Sequence, residues 1–176
     1  GVTENTLLVF TSDNGCAPYV GAAELEKQGH YPSGPLRGYK ADVWEGGHRI
    51  PFIVRWPGHV KPGTTCGQLV QHADLLATVA DVVGAKLPDA AGPDSFSLRP
   101  LLAGNDQPIR EHAVNCSSQG IFSVRRGNWK LIFGAGSGGF GAGNAGKARA
   151  GQQLYDLQAD LGEKQNRFTD KPELVA

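Results

Sequence analysis

The fold class of this chain is set by an apolar run near its start, Asn5-Thr6-Leu7-Leu8-Val9-Phe10-Thr11-Ser12, which ends at the turn sequence Asp13-Asn14-Gly15. The run is continuous rather than alternating, which favours a strand buried on both faces, as in a parallel sheet covered by helices. Polar residues just past the carboxyl end of such a strand stand where open α/β sheets bind ligands. We therefore predict an α/β fold with Asp13 and Asn14 at a ligand-binding edge.

The elements that follow extend this α/β prediction. Residues 15–38 are punctuated by proline and glycine and are predicted to form a long loop with one helical turn at Ala22–Lys27. A second strand is predicted at Ile50–Trp56. The segment His72–Val83 is predicted to be a helix, because its apolar residues recur at helical spacing and Gly84 is placed to end it.

The hydrophobic period changes after a connector rich in proline and glycine at residues 85–110. Four short segments then predict a small antiparallel sheet, with a tight turn between the second and third: Ala113–Cys116, Ile121–Arg125, Trp129–Phe133 and Leu154–Leu157. Residues 134–151 contain eight glycines and are predicted to be a flexible loop. We therefore expect two parts: an α/β part at residues 1–110, and an antiparallel subdomain with a weak helical tail at residues 111–176.

Composition excludes several classes of protein. The 176 residues carry 17 Lys+Arg against 17 Asp+Glu, so no long-range field favours nucleic acid or an anionic membrane as a partner. No apolar run approaches the roughly 20 residues that span a bilayer. Three cysteines cannot all pair within the chain. Because the sequence starts at Gly1, lacks methionine and shows no secretory pattern, we expect a piece of a longer protein whose address signal lies upstream.

Two glycine-rich motifs suggest nucleotide binding, but their context argues against it. Gly136–Gly141 matches the dinucleotide fingerprint, and Gly141–Lys147 matches most of a phosphate-binding loop. Both motifs need a following helix, and no Ser or Thr follows Lys147 to hold magnesium. We interpret them as chance matches. The oxygen-bearing pair Asp13 and Asn14 suits Ca²⁺ or Mg²⁺, although Asp-Asn-Gly also forms a good turn by itself.

Five blocks of this sequence resemble, in order, the C-terminal half of a type I sulfatase. They are Thr6–Gly15, Leu36–Gly58, His72–Thr78, Arg126–Ile132 and Leu154–Leu157, of which the part from Gly38 to Gly58 is the most specific. The resemblance implies the C-terminal part of an alkaline-phosphatase-like sulfatase α/β fold, followed by a small antiparallel subdomain with a helix. It also implies a sulfuric ester hydrolase of arylsulfatase type in the intact protein.

The resemblance assigns roles to three residues. In that family an Asp-Asn pair after the strand helps to bind one divalent cation, normally Ca²⁺, and a lysine before Glu-Gly-Gly contacts the substrate sulfate. It therefore places Asp13 and Asn14 on the metal, and Lys40 on the sulfate as a substrate-binding and catalytic residue. These residue types fit the chemistry, because a cation and an ammonium stabilise the negative charge that develops as the S–O bond breaks.

The family's nucleophile is a formylglycine, made from the first residue of a Cys/Ser-x-Pro-x-Arg motif far upstream of the Asp-Asn pair. The segment Cys16-Ala17-Pro18-Tyr19-Val20 fits the first three positions but has Val20 in place of arginine, so we interpret Cys16 as unrelated to catalysis. The upstream metal-binding aspartates are missing as well. We expect the nucleophile upstream of Gly1, an inactive isolated fragment, and weak Ca²⁺ binding because two ligands cannot supply six to eight oxygens.

A further expectation concerns partners and location. The strand at Leu7–Phe10 should be covered by an upstream segment or by a second copy of the chain, because an unpaired apolar strand is costly. The substrate is expected to be a sulfated small molecule or a sulfated glycan, selected in part by the loop at residues 16–36. By resemblance, the protein is expected to be exported to the periplasm, the extracellular space or the lysosome.

Three alternatives to a sulfatase stay open at this point. The first is a phosphonate or phosphodiester hydrolase of the same superfamily, which uses similar blocks. The second is a non-catalytic C-terminal module that binds or packs without chemistry. The third is nucleotide binding by the glycine-rich loop, which tight ATP binding lost on mutation of Lys147 would support.

Overall fold

A computed structural model describes residues 1–140 and 151–175. The chain forms two compact units, each made of two stretches: Gly1–Phe10 with Phe52–Ala113, and Thr11–Pro51 with Val114–Ala176. The predicted division at residues 110 and 111 lies near the third point at which the chain passes between these units, after Ala113, and it stays a prediction as a domain boundary. Within the described ranges, no helix has the length and apolar character needed to cross a membrane.

The regular elements are short. The helices are α1 (Ala22–Lys27), α2 (Glu45–His48), α3 (Asp74–Val83) and α4 (Arg99–Leu102), with 3-10 turns at Thr3–Asn5, Pro18–Val20 and Pro172–Leu174. The strands are β1 (Leu8–Thr11), β2 (Phe52–Arg55), β3 (His112–Cys116), β4 (Phe122–Arg126), β5 (Trp129–Ile132) and β6 (Gln153–Asp156). Every predicted strand and the predicted helix are present, within a few residues of the expected ends.

In the first unit, β1 and β2 form a two-stranded sheet. Leu8 and Phe10 are 56% and 63% exposed, and Ile53 on β2 is 60% exposed. The prediction that this strand is buried on both faces is therefore wrong for these residues by themselves. The apolar run has the composition of a buried strand, but a two-stranded sheet offers too little surface to cover it.

Helix α3 ends as predicted, with Gly84 in the left-handed conformation at φ 69°. Its buried residues are Asp74, Thr78 and Ala80, whereas the apolar Leu76, Val79 and Val83 are exposed. Asp74 accepts the backbone N–H groups of Gln71 at 2.7 Å and Phe96 at 3.0 Å, and it pairs with the buried guanidinium of Arg110. The inner side of the helix is therefore held by a polar network rather than by its apolar residues.

The second unit contains most of a four-stranded sheet with the order β3-β4-β5-β6. β4 and β5 are antiparallel, with Arg126 opposite Trp129, and β5 and β6 are antiparallel too. The two-residue connection places Gly127 at φ 56°, where glycine is favoured. One face of this sheet packs on the segment before α2, in a core of Val43, Trp44, Ile121, Ile132, Tyr155 and Leu157.

The first part of the glycine-rich segment is packed. Ser137 is buried, and its carbonyl accepts the Val43 N–H at 2.8 Å. The side-chain amide of Gln153 donates to the carbonyls of Gly134 at 2.6 Å and Gly136 at 3.1 Å. A freely flexible loop would not bury its residues in this way, so that prediction is wrong for residues 134–140. Residues 141–150, with the whole phosphate-loop match and the last glycine of the dinucleotide match, lie outside the described residues.

Candidate anion-binding site

Lys40 lies in a turn whose backbone is strained. The next residue, Ala41, has φ 79°, a left-handed conformation that is uncommon for a residue with a Cβ. Two hydrogen bonds close the turn: Asp42 N–H donates to the Tyr39 carbonyl at 3.0 Å, and Tyr39 N–H donates to Asp42 Oδ2 at 2.9 Å. Lys40 N–H itself donates to the Cys16 carbonyl at 2.9 Å. The surrounding structure therefore fixes the backbone from which the half-buried Lys40 side chain projects.

The turn that carries Asp13 and Asn14 is held against α2. Gly15 N–H donates to the Gly47 carbonyl at 2.9 Å. A Cβ on Gly15 would lie 1.7 Å from the Gly46 carbonyl oxygen, so this position admits glycine alone. The Asp13 side chain is exposed and Asn14 is half-buried. The turn is thus fixed by its third residue, while its two oxygen-bearing side chains stay accessible.

These two turns are neighbours in the fold, although they are distant in sequence. The Lys40–Cys16 hydrogen bond joins the segment directly after Gly15 to the Lys40 turn. The structure therefore brings together the two segments that carry the predicted site residues Asp13, Asn14 and Lys40. An ammonium, a carboxylate and a carboxamide on adjoining turns can together attract an anion and contribute ligands to a hard cation.

The donor set for a metal is of the right type but incomplete. In the part of the chain that the structure describes, no group of three or more His, Cys, Asp or Glu residues could hold a metal ion. Asp13 and Asn14 offer one carboxylate and one carboxamide, which suit Ca²⁺ chemically but fall short of its usual six to eight oxygens. These two residues would therefore fit a calcium site only together with further oxygen ligands.

A buried charge cluster, formed by Lys130, Glu45, Glu163 and His48, includes residues of α2 and packs against it. The ammonium Nζ of Lys130 lies 3.0 Å from Glu45 Oε1, 2.9 Å from Glu163 Oε1 and 3.1 Å from His48 Nε2. The side chains of Lys130, Glu45 and Glu163 are at most 1% exposed. The ammonium hydrogen-bonds to Glu45 and forms an ion pair with Glu163, while His48 Nε2 lies between Lys130 and the Val43 carbonyl at 3.0 Å.

Burial and charge set the pKa values in this cluster. Burial raises the pKa of Glu45, but the Lys130 ammonium and its neighbours outweigh that effect and leave it below its usual value. Burial raises the pKa of Glu163 despite the same ammonium. Burial, together with the nearby Lys130 charge, lowers the pKa of His48 to about 4. His48 is therefore a neutral imidazole at pH 7.

The cluster positions α2 through direct contacts. Glu163 Oε2 accepts the backbone N–H of Glu45 at 2.7 Å, at the first residue of this helix. Glu45 Oε2 lies 3.4 Å from Arg49 NH1 and 3.6 Å from Arg125 NH1. Since α2 contains the glycines that hold the Asp13–Asn14 turn, the cluster is a scaffold for the candidate site.

Sequence reasoning missed this scaffold. It gave Glu45, Lys130 and Glu163 no role in the site. One local signal was available: in β5, Lys130 alternates with Trp129 and Leu131 and so shares a face with the apolar Ile132. A lysine on the apolar side of a strand predicts a buried partner, but not which one.

A second pentapeptide, Ser33-Gly34-Pro35-Leu36-Arg37, fits every fixed position of Cys/Ser-x-Pro-x-Arg, which the Cys16 segment does not. The expectation that the motif is absent from these 176 residues therefore needs correction. The Arg37 guanidinium lies 3.6 Å above the Trp44 ring, and it donates to Tyr155 OH at 3.2 Å and the Glu163 carbonyl at 2.7 Å. Ser33 Oγ donates to the Gly38 carbonyl at 3.0 Å. Both residues therefore make contacts that organise the loop before Lys40.

Comparison with known proteins decides the family. A family model described as Sulfatase matches residues 1–85. An N-acetylgalactosamine-6-O-sulfatase of Bacteroides thetaiotaomicron is 38% identical over 181 residues, covering 99% of this chain and 35% of the relative. The chain belongs to the sulfatase family. Human arylsulfatase A is 36% identical, over 94% of this sulfatase-family chain and 34% of the relative.

The fold agrees with this assignment. A solved structure from glycosaminoglycan metabolism in Bacteroides thetaiotaomicron superposes with a TM-score of 0.84 at 36% identity, covering 99% of this chain and 37% of that one. The predicted sulfatase fold with a small antiparallel subdomain is therefore confirmed. The chain spans about a third of the length of the sulfatases it matches.

Proposed function

We propose that this chain forms the C-terminal part of a sulfuric ester hydrolase in which Lys40 binds the substrate sulfate and Asp13 and Asn14 contribute to a Ca²⁺ site. The observation that carries the proposal is the adjacency of two turns, joined by the hydrogen bond from Lys40 N–H to the Cys16 carbonyl at 2.9 Å. The strained Ala41 beside Lys40 supports it, because backbone strain persists where the surroundings enforce a geometry.

The chain's own chemical contribution is electrostatic. Cleavage of a sulfate ester moves negative charge onto the bridging oxygen as the S–O bond breaks, and the products are inorganic sulfate and an alcohol. The Lys40 ammonium stabilises that charge, and it offers three donors to sulfate oxygens. A bound Ca²⁺ would add positive charge at the same anion. The rigid backbone of both turns limits the reorganisation needed to reach the transition state.

The nucleophile is proposed to be a formylglycine from an upstream part of the protein. Cys16 is followed by Val20 where the motif needs arginine, and the contacts of Arg37 support a structural role for the second pentapeptide. The 176 residues alone are therefore proposed to be inactive. The exposed side chains of Leu8, Phe10 and Ile53 support cover by upstream chain or by a second copy.

A sulfated glycan or a sulfated small molecule is the proposed substrate class. One relative is named as an N-acetylgalactosamine-6-O-sulfatase, and a matching structure comes from glycosaminoglycan metabolism. We propose that the substrate of this protein is likewise a sulfated saccharide. Export to the periplasm, the extracellular space or the lysosome is proposed by the same family resemblance.

The proposal is tested in the full-length protein with Lys40→Ala. We expect kcat on 4-nitrophenyl sulfate to fall by about 10²–10³, as when one transition-state donor is removed elsewhere. Lys27→Ala is the matched control, since Lys27 is exposed and pairs with Glu24 at 3.0 Å. Retention of kcat in Lys40→Ala would contradict the role given to this residue.

Two further measurements separate the alternatives. Asp13→Ala should weaken Ca²⁺ binding, measured by calorimetry on the full-length protein, because it removes the carboxylate ligand. Faster turnover of an aryl phosphonate than of an aryl sulfate would instead support a phosphonate hydrolase. Absence of both activities in the full-length protein would support a non-catalytic module.

A further inference from the structure

Two exposed aromatic side chains meet in the second unit. The rings of Tyr19 and Phe140 lie with centroids 6.5 Å apart and planes inclined by 74°, an edge-to-face arrangement. Tyr19 is 71% exposed and Phe140 is 59% exposed. The pair comes from segments far apart in sequence, so its formation depends on the folded structure.

Both rings are carried by segments that contact the Lys40 turn. Tyr19 lies in the 3-10 turn Pro18–Val20, close after Cys16, whose carbonyl accepts the Lys40 N–H. Phe140 follows Gly139, where an added Cβ would lie 2.4 Å from the Ala41 carbonyl carbon and 2.4 Å from Asp42 Oδ1. The aromatic pair is therefore carried by segments that contact the Lys40 backbone and the two residues that follow it.

We propose that Tyr19 and Phe140 form a subsite that binds the saccharide ring of the substrate whose sulfate is held at Lys40. This inference rests on the proposed function and names the part of the substrate that the pair recognises. Binding sites of this kind combine apolar and aromatic walls with a few placed polar groups, and Lys40 on the adjoining turn is the group that would bind the charged end. Both side chains keep most of their surface open to a ligand.

The geometry favours a saccharide over a flat aryl ring. Two rings inclined by 74° make a corner rather than a parallel-sided slot. A puckered pyranose can place the C–H groups of one face against one ring and its edge against the other. A flat ring gains full contact with just one of the two surfaces. Replacing both rings should therefore weaken the binding of a sugar sulfate more than the binding of an aryl sulfate.

The test uses the full-length protein with Tyr19→Ala and Phe140→Ala combined. Substrates are the 6-sulfates of galactose, N-acetylgalactosamine and glucosamine, with 4-nitrophenyl sulfate for comparison. We expect KM for the best sugar sulfate to rise about tenfold with kcat within about twofold, as for loss of a buried aromatic contact. KM for 4-nitrophenyl sulfate and the inhibition constant of inorganic sulfate should change by less than about threefold.

Matched variants separate ring contact from general disturbance. Tyr19→Phe keeps the ring and should keep the wild-type KM. Phe122→Ala removes an aromatic of similar exposure, 53%, from β4 and should leave KM unchanged. If the double variant lowers the melting temperature while KM stays constant, the pair packs against protein and the inference is overturned.

Other outcomes also decide. An equal rise in KM for aryl and sugar sulfates, or turnover of aryl sulfate with no turnover of any sugar sulfate, overturns the saccharide subsite while the proposed function stands. A rise in the inhibition constant of inorganic sulfate would show that the variant disturbs the anion site, and it would overturn the division of roles between the pair and Lys40. Absence of all sulfatase activity in the wild-type protein would instead refute the proposed function.

Discussion

The buried charge cluster around Lys130 and the apolar face of the β1–β2 sheet are built in opposite ways. In the cluster, the fully buried Lys130 ammonium lies within 3.1 Å of Glu45, Glu163 and His48. On the sheet, Leu8, Phe10 and Ile53 are each more than half exposed. The cluster pairs its buried charges with one another, whereas the β1–β2 sheet leaves its apolar side chains exposed to water.

The difference separates charges that are paired within these 176 residues from apolar side chains that these residues leave exposed. A buried charge is strongly unfavourable without partners, and in the cluster the opposite charges come from this chain. Exposed apolar surface forfeits about 25 cal/mol for each Å² that could be buried, which is a reason to expect a covering surface. Each prediction below tests one side of this comparison.

The largest effect is expected where the cluster loses its cation. Lys130→Met leaves the carboxylates of Glu45 and Glu163 facing each other in the interior, which should lower the free energy of unfolding by about 3–5 kcal/mol. Urea unfolding of the full-length protein measures this change. Lys164→Met, at an exposed lysine, is the control and should stay within about 0.5 kcal/mol. A similar, small effect in both variants would show that the cluster is not needed.

A substitution on the apolar face of the β1–β2 sheet should lower stability by a comparable amount if an upstream segment or a second copy covers that face. Phe10→Ala in the full-length protein should then lower the free energy of unfolding by about 3 kcal/mol, the cost of truncating a buried phenylalanine. Tyr31→Ala, which replaces an aromatic of similar exposure in the second unit, should change stability by less than about 0.5 kcal/mol. Equal and small changes would mean that the face stays open.

The third prediction concerns the loss of stability at acidic pH through His48. The pKa of His48 falls from 6.5 to about 4 in the folded protein, mainly because of burial, so the unfolded chain binds a proton there first as the pH drops. The contribution of neutral His48 to the free energy of unfolding is therefore complete above pH 6.5 and is lost as the pH falls toward 4. Near pH 4.5 the free energy of unfolding should be lower by roughly 2 kcal/mol.

Stability curves against pH for wild type and His48→Gln check this sign and size. The slope between pH 6.5 and 4.5 should be shallower in the variant, while His30→Gln, at an exposed histidine, should follow wild type. Parallel curves for all three proteins would show that His48 titrates as it does in the unfolded chain.

The smallest effect is expected at Ser33, whose pentapeptide fits the nucleophile motif. Its hydroxyl bonds the Gly38 carbonyl, so Ser33→Ala should change kcat on an aryl sulfate by no more than about twofold. Loss of a true nucleophile costs several orders of magnitude. A fall of that size would place the nucleophile in this chain and overturn the proposed division between upstream and present residues.

Sequence patterns predicted the second sheet well, because its hairpins are local. Gly127 and the alternation in the flanking strands define the β4–β5 turn without help from distant residues. Helix α3 was predicted with its correct end, yet Leu76, Val79 and Val83 are exposed while Asp74 is buried. Periodicity locates a helix, but the surface on which it packs decides which side is covered.

By itself the sequence determined the order of strands and helices, the end of α3 at Gly84, and the two motif segments that carry Asp13, Asn14 and Lys40. The tertiary structure decided that those segments adjoin, that Ala41 is held at φ 79°, and that Lys130 is buried against Glu45, 85 residues away. The physical reason is the distance along the chain over which each interaction acts. Backbone preference and hydrophobic period act over a few residues, whereas the burial of a charge depends on partners that only folding brings within 3 Å.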